Sequence, residues 1–487
     1  MITSGEFVER LKAMSPNCYM HGELIQRDDP RMLVAMKDIL MTYDVVADPK
    51  YRDLVTTTSH LTGKKINRFC NVHQSVDDLL KKQRMTRELS RLSGTCIQRC
   101  MGIDMVNALS IVTKEADDKN GGKTEYHERF KAFLKEFQNK DMVGAAAQTD
   151  VKGDRMLRPH EQADPDLYLR VVERNAKGIV VRGCKVHTTV GPYCDEMIVT
   201  PCRSLTKDEG DWSVCFSVPA DTKGIHMLVE AANPTPRKAL PAEVAEHGIA
   251  HSVTIFDDVL VPWDRVFLDN DPQLGARAAL LFALYHRHSY TGCKPAYTDV
   301  LMGTTALIAE VSGIDKQQHV RHKLAEMISV AELVYASGIA AAHTATKATS
   351  GTMVPDVIFC NVGRKHAGVN IYHEYDILCD ICGGQPQTMP YEEEYADPRW
   401  RPYLDKYFMR KADVPPETIH RAFRLAQDLL AGPITSNMQI AGVHGGGSPI
   451  MEDIAIFANY PIEEKKNIAR HLAGIPEKEI GKETGKK

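Results

Sequence analysis

The sequence has no strong charge of either sign, no visible internal repeat and no repeated cysteine pair. Its 60 lysines and arginines face 64 aspartates and glutamates, a formal net charge of −4. That balance leaves no electrostatic footprint for nucleic acid or an anionic membrane. Local basic runs such as Lys81-Lys82-Gln83-Arg84 read as solvated helix faces. Met1 to Arg10 holds acidic residues and no apolar core, which excludes a secretory signal. No apolar run approaches the roughly 20 residues that span a bilayer. Cytoplasm is the expected compartment, where the 12 cysteines stand as thiols rather than disulfides.

Most of those cysteines lack any paired spacing. Cys18, Cys70, Cys184, Cys194, Cys202, Cys215 and Cys360 read as small buried hydrophobes. Cys379-Asp-Ile-Cys382 has C-x2-C spacing but no second pair to accompany it, and the same structural reading is favoured there.

What is present is material for two to four domains: 487 residues, 43% hydrophobic and 25% charged. Residues 1–146 read as helical. Apolar spacing marks helices from Met32 onward to Pro49, over Val76 to Leu92 with a break at Gly94, around Cys96 to Leu109, and over His127 to Gln138. In residues 147–273 the texture changes to short β-branched runs: Leu167 to Arg174, Gly178 to His187, Glu196 to Pro201, Trp212 to Val218 and His251 to Val261. Such spacing predicts a small β-barrel or sandwich. Residues 274–487 read as a helical bundle, with helices over Gly275 to Leu284, Pro295 to Gly313, His319 to Lys347, Asp356 to Cys379, Glu417 to Leu430, Ile454 to Asn459 and Glu463 to Ala473. The charged Glu477 to Lys487 is expected to fray. The fold class is therefore α+β, in the order helical domain, β domain, helical bundle. That order resembles the acyl-CoA dehydrogenase architecture, in which flavin lies between the β domain and the C-terminal bundle.

Two stretches carry the chemistry. Tyr285-His-Arg-His-Ser-Tyr-Thr-Gly-Cys-Lys294 packs two histidines, two tyrosines, a cysteine and a lysine into ten residues. Far upstream, Cys96-Ile-Gln-Arg-Cys100 sets two thiols four apart, on one face if the segment is a helix. Alone, this spacing suits two structural cysteines as well as a metal. With His286, His288 and Cys293 as further donors it suits zinc or an iron–sulfur cluster. If the second stretch is helical, His286, Tyr290 and Lys294 line one face.

Further motifs narrow the reading: Gly63-Lys-Lys-Ile-Asn-Arg68, His73-Gln-Ser-Val-Asp-Asp78, Thr149-Asp-Val-Lys-Gly-Asp-Arg155, Asp164-Pro-Asp-Leu167 and His444-Gly-Gly-Gly-Ser-Pro449. With the two stretches above, the chain resembles the 4-hydroxybutyryl-CoA dehydratase/vinylacetyl-CoA isomerase family, of the wider 4-hydroxyphenylacetate 3-hydroxylase group, over nearly its whole length. The resemblance implies a 4Fe–4S cluster on Cys96, Cys100, His286 and Cys293. It implies FAD against Gln148, Thr149, Asp150, Lys152, Asp154, Arg155 and Thr189, with Gly383 and Gly384 supplied by a neighbouring subunit of a homotetramer. It also places Gln98, Thr189, Tyr290 and Lys294 at the active site, with His286 as a ligand releasable as a base. The implied activity is radical-type dehydration or double-bond isomerisation of a short hydroxyacyl- or enoyl-CoA. Two family glutamates are replaced, by His251 and Ala441. An alanine cannot move a proton, whereas His251 is expected to titrate nearer neutrality than a carboxylate; the plain alternative for His251 is a strand-end residue. The competing readings are a flavin-dependent monooxygenase of the hydroxylating branch, which needs no cluster, and a non-catalytic cluster-bearing scaffold.

Overall fold

Seven helices place the site: α1 (Val76–Ser93), α2 (Cys100–Lys119), α3 (Pro272–Val311), α4 (Gln318–His343), α5 (Val357–Cys382), α6 (Pro433–His444) and α7 (Pro449–Asn459). The computed structural model describes residues 1–476 and Lys478; the rest of the charged tail expected to fray lies outside the described residues.

Helix α3 is the axis. The sequence predicts two helices here, Gly275 to Leu284 and Pro295 to Gly313, with Tyr285 to Lys294 between them left open. The structure instead runs 40 residues without a break. Asp271 caps its start by accepting from the Leu274 N–H at 3.1 Å, and Pro272 occupies the first turn, where no donor is needed. Pro295 has no N–H for the carbonyl of Thr291. The carboxamide of Gln83 on α1 donates to that carbonyl at 3.3 Å, so the freed group stays satisfied and the helix continues. A Cβ at Gly292 would lie 2.0 Å from Thr86 Oγ1 and 2.3 Å from the Gln83 carbonyl, so only glycine admits α1 this close. Lys82 and Gln83, read from sequence as part of a solvated basic face, are fully buried against α3; only Arg84 of that run is exposed.

The β domain is two open sheets packed on each other, the sandwich alternative rather than a closed barrel. One has six strands in the order Glu23–Ile25, Cys18–Met20, Ile225–Ala232, Ile249–Pro262, Gly178–Thr189 and Arg170–Asn175. The other has four: Val266–Asp269, Val214–Pro219, Glu196–Val199 and Gly144–Ala147. The N-terminal region is therefore not purely helical; it lends strands to both sheets. The sheets share one core, where Val181, Phe256 and Val259 meet Met197, Phe216 and Val218, and the Phe216 and Phe256 rings meet edge to face at 6.2 Å. The register pairs His251 with Thr189 across neighbouring strands.

Helices α4 and α5 pack beside α3. By length and composition α4 is apolar enough to cross a membrane, contrary to the sequence expectation of no such run. Its alanines raise hydropathy without forming a block of large side chains. Val320, Met327, Val330 and Val334 bury one face of it in the bundle. All twelve cysteines are free thiols, with Cys379 exposed and Cys382 buried.

Candidate functional site

The expectation that Cys96 and Cys100 share a helix is corrected: α2 begins at Cys100, and Cys96 lies in the preceding loop. Gln98 turns the chain between them in the left-handed region, at φ 61°. That conformation costs about 1 kcal/mol or more for a residue with a side chain and persists only when its surroundings hold it. Here they do. The Gln98 carboxamide donates to the carbonyl of Gly248 at 3.2 Å and accepts a short hydrogen bond from the Tyr193 hydroxyl. Next to it, Arg99 is fully buried and bonded to Asp141 at 2.5 Å and Thr42 at 3.0 Å, its guanidinium 4.1 Å above the Tyr43 ring. The loop brings the two thiols into hydrogen-bond contact. That contact from Cys100 holds the Cys96 thiol below its ordinary range and, together with burial, pushes Cys100 up.

Helix α3 supplies the other half. The His286 ring stacks on Phe282, with centroids 5.7 Å apart and planes 8° apart, and its Nδ1–H donates to Asp104 Oδ2 at 3.0 Å. Asp104 sits one turn after Cys100 on α2, so both project from one face. It also accepts from Lys82 Nζ at 3.0 Å and from the Ser289 hydroxyl at 2.9 Å. Burial would push the Asp104 carboxyl up, but Lys82 and His286 hold it below its ordinary range. Donor atoms of Cys100, Asp104 and His286 all lie within 4.8 Å of one another. Cys293, seven residues beyond His286, feels the charges of Cys96 and Asp104, and burial pushes its thiol up. Cys100 and His286, its Nδ1 engaged, are thus brought together around Asp104, with Cys96 in contact with Cys100 and Cys293 near enough to feel their charges. Soft thiolates with a single imidazole fit an iron–sulfur cluster.

Tyr290 lies one turn beyond His286, its hydroxyl donating to the Gly442 carbonyl at 3.2 Å and its ring 4.2 Å below the buried guanidinium of Arg364. Burial holds the phenol protonated well above its ordinary range, against the pull of Arg364. Lys294 is buried and committed: Nζ bonds Glu374 at 2.5 Å and Thr298 at 2.7 Å. Burial lowers its pKa while Glu374 opposes the fall. One of its three N–H donors remains.

A second focus forms where the six-stranded sheet meets α6. Asn437 Nδ2 makes a short contact to His251 Nε2, which leaves Nδ1–H to donate to Thr189 Oγ1 at 2.9 Å. Burial pushes the His251 pKa down to about 4, away from neutrality rather than towards it; Asn437 opposes the fall and His187 adds to it. Ala441 is one turn past Asn437 on α6. The same helix and its following loop reach the first focus. Arg364 holds the Gly445 carbonyl at 2.8 Å and Arg287 holds that of Gly446 at 2.9 Å. A Cβ at Gly446 would stand 3.4 Å from the His286 ring. Helix α6 therefore joins His251, through Asn437, to Tyr290 and His286.

The strip Gln148 to Arg155 leads away from the sheet. Gln148 bonds the Ala279 carbonyl of α3 at 3.0 Å, and Asp150 is buried in a 2.7 Å ion pair with Lys185. Asp154 accepts from the Met156 N–H at 2.9 Å. Lys152 and Arg155 are exposed and Thr149 is half-buried, which leaves cationic heads and a hydroxyl for an anionic group such as a dinucleotide pyrophosphate. Gly383 and Gly384 cap the end of α5 and are exposed, with nothing within 4 Å of a built Cβ.

Sequence reading missed Asp104, Lys82, Glu374, Arg364, Asn437 and Tyr193. Only Asp104 carried a signal, its four-residue offset from Cys100.

The family described as 4-hydroxyphenylacetate 3-hydroxylase matches in two parts, N-terminal over residues 3–268 and C-terminal over residues 276–474. A 4-hydroxybutyryl-CoA dehydratase/vinylacetyl-CoA-Δ-isomerase of Clostridium aminobutyricum is 35% identical over 490 residues, covering 98% of this chain and 100% of that protein. The oxygenase component of a 4-hydroxyphenylacetate 3-monooxygenase from Thermus thermophilus is 28% identical over 484 residues, 96% of each. Among solved structures, an oxygen-tolerant archaeal 4-hydroxybutyryl-CoA dehydratase from N. maritimus superposes with a TM-score of 0.93 at 33% identity, covering 99% of this chain and 97% of that one. With its site architecture and these matches along nearly all its length, the chain belongs to the 4-hydroxyphenylacetate 3-hydroxylase family, in the group of the 4-hydroxybutyryl-CoA dehydratases/vinylacetyl-CoA isomerases.

Proposed function

We propose that the protein is a lyase, a dehydratase with double-bond isomerase activity, acting on a short hydroxyacyl- or enoyl-CoA with FAD and a 4Fe–4S cluster. The observation that carries this is the grouping of Cys100 and His286 around Asp104, which takes one imidazole nitrogen, with the Cys96 and Cys293 thiols as neighbours. The dehydratase relatives support the substrate class by name. Cys96, Cys100, His286 Nε2 and Cys293 would hold the cluster. Lys152, Arg155, Thr149 and Thr189 would contact FAD. When bound, these groups supply single-electron exchange and a Lewis acid for a substrate oxygen.

The chain's own residues bind, orient and keep the site dry. Tyr290 stays protonated, so its O–H is available to a departing hydroxyl or a developing oxyanion. Lys294 offers its third N–H from a fixed position, with Glu374 balancing its charge. Gln98 is spent on Tyr193 and Gly248, so its part is to shape the wall and hold the thiols together. His251 is neutral near pH 7 with both ring nitrogens engaged, and it acts with Thr189 as a neutral hydrogen-bonding pair where the family carries a carboxylate. With Ala441 beside it, this leaves room for a substrate unlike the family's own, and we assign the difference in substrate to this corner.

Exposed Ile328 and Leu333 on α4, Val369 and Tyr372 on α5, and Ile454 and Phe457 on α7 support burial against further copies of the chain. A homotetramer would bring Gly383 and Gly384 to a neighbour's flavin. Free thiols and an oxidisable iron centre suit a reducing compartment such as the cytoplasm. No role for nucleic acid or a membrane is invoked.

The second reading, flavin-dependent hydroxylation, draws on the monooxygenase relatives but gives these donors no task. Anaerobic purification and reconstitution, then a thioester panel read by mass, decides between them. About four irons per chain with one flavin and dioxygen-independent turnover are expected. Turnover by iron-free protein, or a product that requires dioxygen, refutes the proposal.

A further inference from the structure

We infer that Asp104, balanced by Lys82, is the positioning residue of the metal centre: it takes the Nδ1–H of His286 and thereby commits Nε2 to the iron. The inference rests on the cluster reading above and goes beyond the four ligands to the shell that aims one of them.

Three observations carry it. First, both oxygens of Asp104 are already committed to donors of the protein, although its donor atom lies within 4.8 Å of those of Cys100 and His286. Oδ1 takes Lys82 Nζ at 3.0 Å and the Ser289 hydroxyl at 2.9 Å; Oδ2 takes His286 Nδ1 at 3.0 Å and lies 3.0 Å from the same hydroxyl. A carboxylate offers about four lone-pair sites; three donors engage it, the single Ser289 hydroxyl proton being shared between the two oxygens. Second, the parts come from three helices locked against one another. Lys82 stands on α1, Asp104 on α2 one turn from the ligand Cys100, and His286 and Ser289 on α3. Lys82 also donates to the Tyr285 carbonyl at 3.0 Å, fixing the turn of α3 that carries His286. Third, the charges balance. Lys82 and Asp104 are both 0% exposed, so an unpaired Asp104 would add a fourth buried negative charge beside three thiolates. With Lys82 in place the shell is neutral and the imidazole receives orientation without added repulsion. A metal-bound histidine whose second nitrogen donates to a carboxylate is held in one tautomer and one ring orientation.

The test uses anaerobically reconstituted holoenzyme and two variants. Asp104→Asn keeps an acceptor oxygen and loses the charge. K82M/D104L removes the pair together, keeping net charge and approximate volume, so the fold has a neutral route to survive. Wild type is expected to bind about four irons per chain. K82M/D104L should bind FAD as wild type does, yet release iron to a chelator with about 10–100-fold weaker affinity and lose the histidine ¹⁴N hyperfine coupling of the reduced centre. Asp104→Asn should keep its iron and that coupling but show a higher midpoint potential, because a buried negative charge has gone. Wild-type iron affinity, potential and ¹⁴N coupling in the variants would overturn the role of Asp104 while leaving the cluster reading intact. A wild type that takes up no iron would overturn both. If K82M/D104L fails to fold, the potential of Asp104→Asn decides alone.

Discussion

Acidification should act on His251 in a way that separates a buried neutral imidazole from a working base. Burial moves its pKa from the ordinary 6.5 to about 4. At about 1.4 kcal/mol per tenfold change in proton affinity, that difference amounts to about 3 kcal/mol as an upper bound. The sign follows from the direction. The folded pKa lies below the unfolded one, so the unfolded chain binds a proton that the folded chain refuses. The stability contribution is whole above pH 6.5 and drains away as pH falls towards 4, then stays flat. His288, pushed to about 3, and His420, pushed to about 4, drain in the same direction, so wild type alone is not informative. The informative quantity is the difference between wild type and His251→Gln, whose carboxamide can still reach Thr189 and Asn437 but does not titrate. Thermal midpoints of the two proteins, measured from pH 7.5 to 4, should diverge on acidification, with wild type losing more. A ring ¹³C or ¹⁵N titration of His251 should show no inflection above pH 5. In turnover, His251→Gln should leave the pH–rate profile between 6 and 8 unchanged in shape. An inflection near 6.5, or parallel acid curves for the two proteins, would refute the assignment of a neutral hydrogen-bonding role.

Other perturbations test the frame around the site. Gly292→Ala drives a methyl group into Thr86 and the Gln83 backbone; overpacking of this kind costs about 1–3 kcal/mol, and a lowered thermal midpoint with loosened iron is expected. Tyr290→Phe should leave the fold and iron content intact, since one neutral hydrogen bond contributes about 1 kcal/mol, yet lower kcat by about 10²–10³-fold as a lost donor to developing charge. Glu374→Gln removes the counter-charge from buried Lys294; reduced kcat with a pH–rate limb moved to lower pH is expected, because the ammonium then deprotonates more readily.

How far the site was legible in the sequence differs residue by residue. Cys96, Cys100, His286 and Cys293 stood out as crowded soft donors, but only the family resemblance singled them out as one ligand set. Their geometry was not legible: the four-residue spacing of the thiols suggested one helical face, whereas a left-handed Gln98 held by Tyr193 brings them together. Asp104 and Lys82 look like ordinary charges of amphipathic helices, and nothing local distinguishes a charge that faces water from one that faces another helix. Lys82 was assigned to water for that reason. That one helix runs through Pro295 was not legible because the group that satisfies the Thr291 carbonyl, Gln83, is 208 positions away.

The sequence by itself determined the coarse order of a helix-rich region, a strand-rich region and a helical bundle, since periodicity and breakers act within a few residues, and it determined the donor chemistry, since that resides in side-chain identity. Tertiary structure alone decided which buried charges pair, which way His286 presents its nitrogens, and that His251 is neutral. Each of these depends on desolvation and on partners brought from distant segments, and neither quantity exists until the chain has closed around them.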